Sequence, residues 1–441
     1  MPARLAIVGG GMLGVAMARR LAATHEVTIF ERADGIGGLA APWRIGDLEW
    51  DRFYHVILES DEHVIALLRE LDLDSALEWK RIKSAFFIGG RLQPFSSARD
   101  YLAFDALNWL DKLALLRSVR GAKREDPALD DISVEAWMVR LAGRRVYERI
   151  WAPLLRAKLG DGYARASAAF LQATIARLQG TKHAGPARFG YVDGGYATIV
   201  RALTRDLARC GVSLRTGVCV ESIAHNADGT FDIRANSEMQ SFDRVVVTSP
   251  PQTAAWMCPS LSRIERDRLA NAPGLGVVCC SLVLDRPLGP YYVTNLADAR
   301  IPFTGIIDMS ALVDARHLSG RGLVYLPRYV DSSEDTYHTG ATLYDMAVDS
   351  LRLVYPGFDE RRVRAFEVAR APYVMPFPEC GAVSRMLPIR TSVPGLFIVN
   401  SSQIAHATLN VNETLRLAAQ ATEIVRTAAI QGDGPRYVTL R

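Results

Sequence analysis

Leu5-Ala6-Ile7-Val8-Gly9-Gly10-Gly11-Met12-Leu13-Gly14 runs into an Ala- and Leu-rich stretch, residues 15–23, and then into Val27-Thr28-Ile29-Phe30-Glu31. Four apolar residues without a polar interruption read as a buried parallel strand, and residues 27–30 read as a second one. The segment between them reads as a helix. Strand, glycine turn, helix and strand together occupy about thirty residues, the size of one βαβ unit. Gly9, Gly11 and Gly14 form G-x-G-x-x-G. The first glycine permits the tight turn, the second lets a pyrophosphate approach bare backbone, and the third lets helix pack closely on strand. Met12 and Leu13 lie in the turn that leads into the helix, whose N-terminal N–H groups and positive dipole end suit a phosphate. Glu31 stands twenty residues after Gly11 at the end of the second strand, where a carboxylate accepts hydrogen bonds from ribose hydroxyls. A glycine triplet alone is a weak signal. In register with both strands, the helix and the terminal acid, it points to an adenine dinucleotide.

Composition narrows the class. The 441 residues suggest two or three folding units at roughly 100–200 residues per domain. With 49 % hydrophobic and 23 % charged residues, extended disorder is excluded, and no Gly-X-Y or heptad pattern supports a fibre. A net charge of +4 is too small to call for a nucleic-acid partner. Lysine stops at Lys182, so lysine chemistry is excluded from the remainder. None of the six cysteines forms a C-x-x-C pair, so no metal site is expected. Cys279-Cys280 sits in an apolar run and reads as strand core. Few, scattered cysteines and the lack of a secretory signal fit a reducing cytoplasm. Apolar runs fall short of the roughly 18 residues of a spanning helix, which leaves at most peripheral contact with a membrane. The oligomeric state is open.

Further along, Asp61 reads as the N-cap of a helix over residues 62–71. Residues 79–95 read as a hairpin turning at Gly89-Gly90, and 98–183 as almost entirely helical with breaks at Pro127 and Pro153. Strand character returns at 188–191, followed by Gly194-Gly195 and a helix over 196–210. A meander follows at 213–216, 219–225, 231–235 and 245–248. Residues 275–331 are strand-rich, 341–355 helical, 395–399 a buried strand and 411–427 a helix.

Glu31-Arg32-Ala33-Asp34-Gly35-Ile36-Gly37-Gly38 resembles the E-x(5)-G-G extension of the FAD-binding amine oxidase, protoporphyrinogen oxidase and phytoene desaturase superfamily. The resemblance implies that Gly37 and Gly38 pass close to the pyrophosphate and flavin, with Arg32 nearby. The arginine that usually follows the pair is Leu39 here, which leaves Arg44 or another residue to replace that phosphate contact. Residues 191–196, Val220-Glu221-Ser222-Ile223, the strand leading to Ser249-Pro250, and Pro394 to Val399 look like later family segments. Val220 then meets the adenine through its backbone. The usual G-D after the last strand is Asn400-Ser401, so hydroxyl or amide contacts would hold the ribityl chain. The helix opening at Asn410-Val411-Asn412 would aim its N-terminus at the flavin, although both asparagines also suit ordinary caps.

The resemblance implies an α/β fold: a Rossmann-like FAD-binding domain (1–75, 188–252 and 385–435) interleaved with a substrate domain of helical insert and mixed β-sheet (76–187 and 253–384). The FAD is expected to be non-covalent, since Cys380 precedes the last strand. His55 in Asp51-Arg52-Phe53-Tyr54-His55 resembles a family D-x-G-x-H segment beside the flavin, and is either a proton-transfer group or a packing residue. Arg156 and Lys158 either bind an anionic substrate group or form a solvated face. Arg140, Arg144, Arg145 and Arg149 form either a patch for acidic lipid or polyanion, or a solvated run. Tyr292 and Tyr325 either wall a pocket or pack in the core. The expected activity is hydride transfer between a carbon of a bulky apolar or glycosylated small molecule and flavin N5. The alternatives are a flavin amine oxidase, a redox-neutral sugar mutase and a non-catalytic scaffold. The late sheet lacks the lysine that amine oxidases commonly place there.

Overall fold

Leu5 and Ile7 face one core and Ala6 and Val8 another, which is why the first strand shows no polar interruption. In the computed structural model, residues 2–122, 126–179, 188–331, 340–404 and 409–428 are described. The strand Ala3–Val8 lies in the middle of a five-stranded sheet. The order is Ser213–Arg215, His25–Phe30, Ala3–Val8, Arg244–Val247 and Leu396–Ile398, with every pair parallel. On one face, Leu5 and Ile7 pack with Val15 and Met17 of the helix Met12–Leu21, Leu203 of Tyr196–Arg209 and Leu415 of Val411–Thr427. On the other, Ala6 and Val8 pack against Phe231 and Ile233 of an antiparallel three-stranded sheet.

The second large sheet has seven strands, in the order Val363–Pro376, Gly274–Leu284, Gly322–Asp331, Gly305–Asp308, Val293–Leu296, Ser84–Ile88 and Arg91–Pro94. It is antiparallel apart from the pair Val293–Leu296 and Ser84–Ile88. Gly274–Leu284 is buried along its whole length, and Cys279 and Cys280 are core residues in it. A smaller sheet pairs Arg188–Val192 with Ile57–Leu58 and Leu77–Arg81.

Several local expectations change. Asp61 does not cap the helix Glu62–Glu70 with its side chain. Its carboxylate instead accepts from Leu58 N (2.9 Å) and from Arg177, Nε at 3.2 Å and Nη2 at 2.9 Å. Pro153 ends no helix, but it marks a change of register: Arg144–Val146, the π-helical turn Tyr147–Trp151 and Ala152–Leu159 follow one another without a gap, and the wider turn falls just ahead of the proline. The fourteen-residue strand Val363–Pro376 has no counterpart in the sequence reading. It is an edge strand in which Arg364, Glu367 and Arg370 interrupt the apolar pattern. The expected helical residues 180–183 and the stretch 429–435 lie outside the described residues.

Candidate functional site

The parallel strands end together, and their C-terminal ends carry the first group of candidates. Gly9 N donates to Phe30 O (2.8 Å), Thr248 N to Val8 O (2.9 Å) and Val399 N to Val247 O (2.9 Å). At Gly14 a Cβ would stand 2.0 Å from Gly9 O, so helix and turn meet at a distance only glycine allows. Gly37 N donates to Gly10 O at 2.8 Å, which sets the second glycine turn against the first. A Cβ on Gly38 would lie 3.0 Å from Gly11 Cα. A Cβ on Gly11 would meet nothing nearer than Gly38 Cα at 3.9 Å, so this side of the loop is open.

Glu31 closes that cradle. Its Oε2 accepts from Gly10 N (2.6 Å) and its Oε1 from Ala33 N (2.8 Å). Each oxygen keeps a lone pair for a further donor. Arg32 beside it is exposed. Val218 N donates to Glu31 O (2.9 Å), and this contact carries Val220 to the same edge. Asn400 is buried; its Nδ2 donates to Ser249 O (3.1 Å), while its Oδ1 accepts from Ser402 N (3.1 Å) and Ser402 Oγ (2.6 Å). Ser401 opens the short turn that follows. Asn410 caps the Val411–Thr427 helix through Glu413 N (3.0 Å), with Val411 buried. Asn412 caps a different helix: its Oδ1 accepts from His63 N at 2.9 Å. That oxygen is committed inside the protein.

The second group lies on the chain that leaves the Gly37-Gly38 turn. The hairpin Pro42–Ile45 and Leu48–Asp51 pairs Trp43 with Trp50 and delivers Asp51 to the N-terminus of Tyr196–Arg209. Asp51 is 2 % exposed, and its Oδ1 accepts from Tyr196 N at 2.8 Å. The helix has no cap of its own, since Gly195 occupies that position. Burial pushes the Asp51 carboxyl up to about 7, against the pull of the Tyr196 amide. His55 Nδ1 stands 3.7 Å from Asp51 Oδ2, beyond hydrogen-bond length, and the imidazole packs 4.7 Å from the Tyr196 ring. Burial pushes His55 down to about 4, so it is neutral at pH 7.

Four buried polar atoms in this segment have no protein partner: Trp43 Nε1, Trp50 Nε1, Arg52 Nε and His55 Nδ1. Native structures rarely leave such atoms unmatched. The guanidinium of Arg52 lies 5.8 Å from the Trp43 ring, and no carboxylate pairs with it among the described residues. Arg44 is exposed on the hairpin opposite Glu49, and Leu39 is half-buried. The open Gly11 face, the Glu31 carboxylate and these unmatched polar atoms together fit a flavin cofactor.

The remaining candidates separate. Lys158 Nζ lies 5.3 Å from the Tyr329 ring and 5.9 Å from the Phe170 ring, and the Tyr329 hydroxyl stands 3.4 Å from that of Tyr54. The helical insert thus returns a lysine to the late sheet, where sequence alone offered none. Arg156 is exposed and lies over Tyr163, at 5.0 Å from the ring. Tyr325 is not a pocket wall: its ring is fully buried and its hydroxyl donates to Asp51 O (2.5 Å). Tyr292 is also core, 3 % exposed and 5.5 Å from the Phe189 ring. Arg144 faces Glu135 and Glu148, Arg145 faces Asp111, and Arg149 Nη1 donates to Ala106 O, so three of those four arginines are engaged at home. Sequence reasoning missed Tyr196 and Arg177. Each is defined by a contact more than a hundred residues away, for which the chain carries no local signal. Among the described residues no group of three or more metal-ligating side chains comes together, and no helix is long and apolar enough to cross a membrane.

Comparison with known proteins gives the same grouping. A family model described as flavin containing amine oxidoreductase matches residues 14–403. The 15-cis-phytoene desaturase of Arabidopsis thaliana is 21 % identical over 384 residues, covering 80 % of this chain and 67 % of that protein. The desaturase of Glycine max is matched over 58 % of its length. Among solved structures, a putative protoporphyrinogen oxidase from Exiguobacterium sp. 255-15 superposes with a TM-score of 0.76 at 14 % identity, covering 96 % of this chain and 99 % of that one. Reduced UDP-galactopyranose mutase gives a TM-score of 0.73 at 16 % identity, covering 96 % and 95 %. Identities this low speak for the α/β fold, whereas the family match takes in most of the chain, from the glycine turn to the segment after the last strand. The chain belongs to the flavin containing amine oxidoreductase family, a family of flavin-dependent oxidoreductases.

Proposed function

We propose that the chain holds FAD non-covalently across the C-terminal ends of the five-stranded sheet and oxidises or reduces a carbon centre of a bulky apolar or glycosylated small molecule. The observation that carries this reading is the contact of the two glycine turns, Gly37 N on Gly10 O at 2.8 Å, beside an open Gly11 and the Glu31 carboxylate. Residues 1–75, 188–252 and 385–435 would form the cofactor domain, and 76–187 with 253–384 the substrate domain. When bound, the flavin supplies a hydride acceptor or donor at N5. The protein supplies the rest. Glu31 and the helix N-terminus of Met12–Leu21 hold the dinucleotide end, with Arg52 as the cation.

Asp51 and Tyr325 fix the segment that carries His55: Asp51 binds the Tyr196 amide, and Tyr325 binds the Asp51 carbonyl. His55, neutral at pH 7, accepts a proton from the substrate. Tyr54, Tyr329 and Phe170 form an aromatic wall, and Lys158 at its edge orients a polar or anionic substrate group. The test begins with the purified protein. It should be yellow and bleach with dithionite, and acid should release a pigment with the mass of FAD. Pigment retained by the denatured chain would exclude non-covalent binding. A colourless protein that binds NAD instead would overturn the reading. Turnover without an external electron acceptor would favour redox-neutral chemistry over net oxidation.

A further inference from the structure

The helix Trp109–Gly121 is turned inside out. Its buried side carries Asp111 and Ser118 beside Leu115, while Trp109, Leu110 and Leu113 are 68 %, 57 % and 53 % exposed. Spacings of three and four residues put those three on one side of the helix. The preceding helix, Ala98–Ala103, adds Leu102 at 74 % exposed. Lys112 Nζ donates to Leu102 O (2.6 Å) and the Tyr101 hydroxyl donates to Lys112 O, so the two helices are tied together at this corner. Single exposed apolar residues are normal on a soluble protein. Four large ones gathered on one tied helix pair, above a buried carboxylate, are not.

The charge around the corner has one sign. Arg99 lies one turn before Leu102, and Arg117 and Arg120 follow Leu113 on the same exposed side. None of the three takes part in an ion pair among the described residues. Every acid of the two helices and the loop between them is engaged elsewhere. Asp100 accepts from Ser96 N and Ser97 N, Asp105 pairs with Arg91 at 2.5 Å, and Asp111 faces Arg145 at 3.6 Å. The surface is an apolar centre with a cationic border. A second copy docked by this same face would bring like charges together. An anionic bilayer surface offers complementary charge and an apolar layer beneath it, and tryptophan favours that boundary.

We propose that this corner docks on anionic lipid bilayers, with Leu102, Trp109, Leu110 and Leu113 entering the headgroup boundary and Arg99, Arg117 and Arg120 lying on the headgroups. The site lies outside the arginine run 140–149, which is largely engaged within the protein.

The test is flotation of the full-length, flavin-loaded protein with phosphatidylcholine vesicles, with and without phosphatidylglycerol. Wild type should float with the phosphatidylglycerol vesicles, and less so as salt rises. R117Q/R120Q should weaken that partitioning about 30-fold, from about 1 kcal/mol for each cation near the surface. L110S/L113S should weaken it by roughly tenfold or more. All these side chains are exposed, so circular dichroism and flavin content should not change. Equal floating with both vesicle types, no floating with either, or undiminished floating of both variants would overturn the proposal. So would light scattering that shows a wild-type dimer which L110S/L113S converts to monomer while vesicles bind neither form.

Discussion

His55 is neutral at pH 7 because the folded chain has taken it out of water, and an imidazole in that state accepts protons. His55→Ala should keep its flavin and lower the rate of flavin reduction by roughly 10²–10⁴-fold. In wild type, that rate should fall as pH drops through about 4, where the ring charges, and this limb should vanish in the variant. Rapid-reaction absorbance at full flavin occupancy reads both effects. An unchanged rate would remove His55 from the chemistry and leave it a packing residue against Tyr196. Asp51 titrates in the opposite order from solution, after its neighbour rather than before it. Burial raises its folded pKa from the ordinary carboxylate range to about 7, so the folded protein holds the proton longer than the unfolded chain does. That contribution favours the fold at low pH and is progressively lost as pH rises from about 4 to about 7. His55 has the reverse slope over part of that range, since its folded pKa lies below the unfolded one. Asp51→Asn keeps an acceptor for the Tyr196 amide and removes the charge. The variant should therefore gain stability relative to wild type as pH rises across this window, measured by denaturant midpoints. A constant difference between acid and neutral pH would show that Asp51 is not carrying the raised carboxyl.

At the scale of elements, two glycines of one motif should fail in different ways. Gly14→Ala places a methyl group 2.0 Å from Gly9 O and should damage the packing of helix on strand. Gly11 has a negative φ and open space beside it, so Gly11→Val should fold and lose flavin, because the added side chain takes the room of the pyrophosphate. Thermal melting and flavin absorbance separate the two, and a Gly11→Val protein with full flavin content would show that the phosphates bind elsewhere. This unit was legible from sequence because all its signals are local: a strand, a turn, a helix and a strand in the first 31 residues. The same locality made the Gly89-Gly90 hairpin and the Val411–Thr427 helix readable. Elements at the sheet edge were not. Val363–Pro376 carries Glu367 on one face and Arg370 on the other, and periodicity alone does not separate such a strand from a loop. Side-chain roles were hidden for a further reason. Asp61 looks like a helix cap until Arg177 arrives, and Tyr325 looks like a pocket aromatic until its hydroxyl finds Asp51 O.

Across the whole molecule, the proposed flavin site would be assembled from distant parts of the chain: Gly9 to Gly14, Glu31 to Gly38, Val220, Ser249 and Asn400. A ligand that touches all of them binds the folded chain and not the unfolded one. Removing the flavin by acid or chaotrope and then refolding should therefore lower the melting temperature. Adding FAD back at about 100 times its dissociation constant should restore about 2.7 kcal/mol. Melting curves that ignore added FAD would mean that these segments do not share one ligand.

The Asn412 side chain has a consequence for how this protein is made. The amide of His63, at the start of the Glu62–Glu70 helix, is satisfied by a residue almost 350 positions later, and the first sheet gains its last strand only at Leu396–Ile398. A ribosome adding roughly 5–20 residues per second needs about 20–70 s to cover that distance. Throughout that interval the apolar first strand has emerged without its final neighbours. The chain must wait, partly built and open to aggregation, for its own tail to arrive.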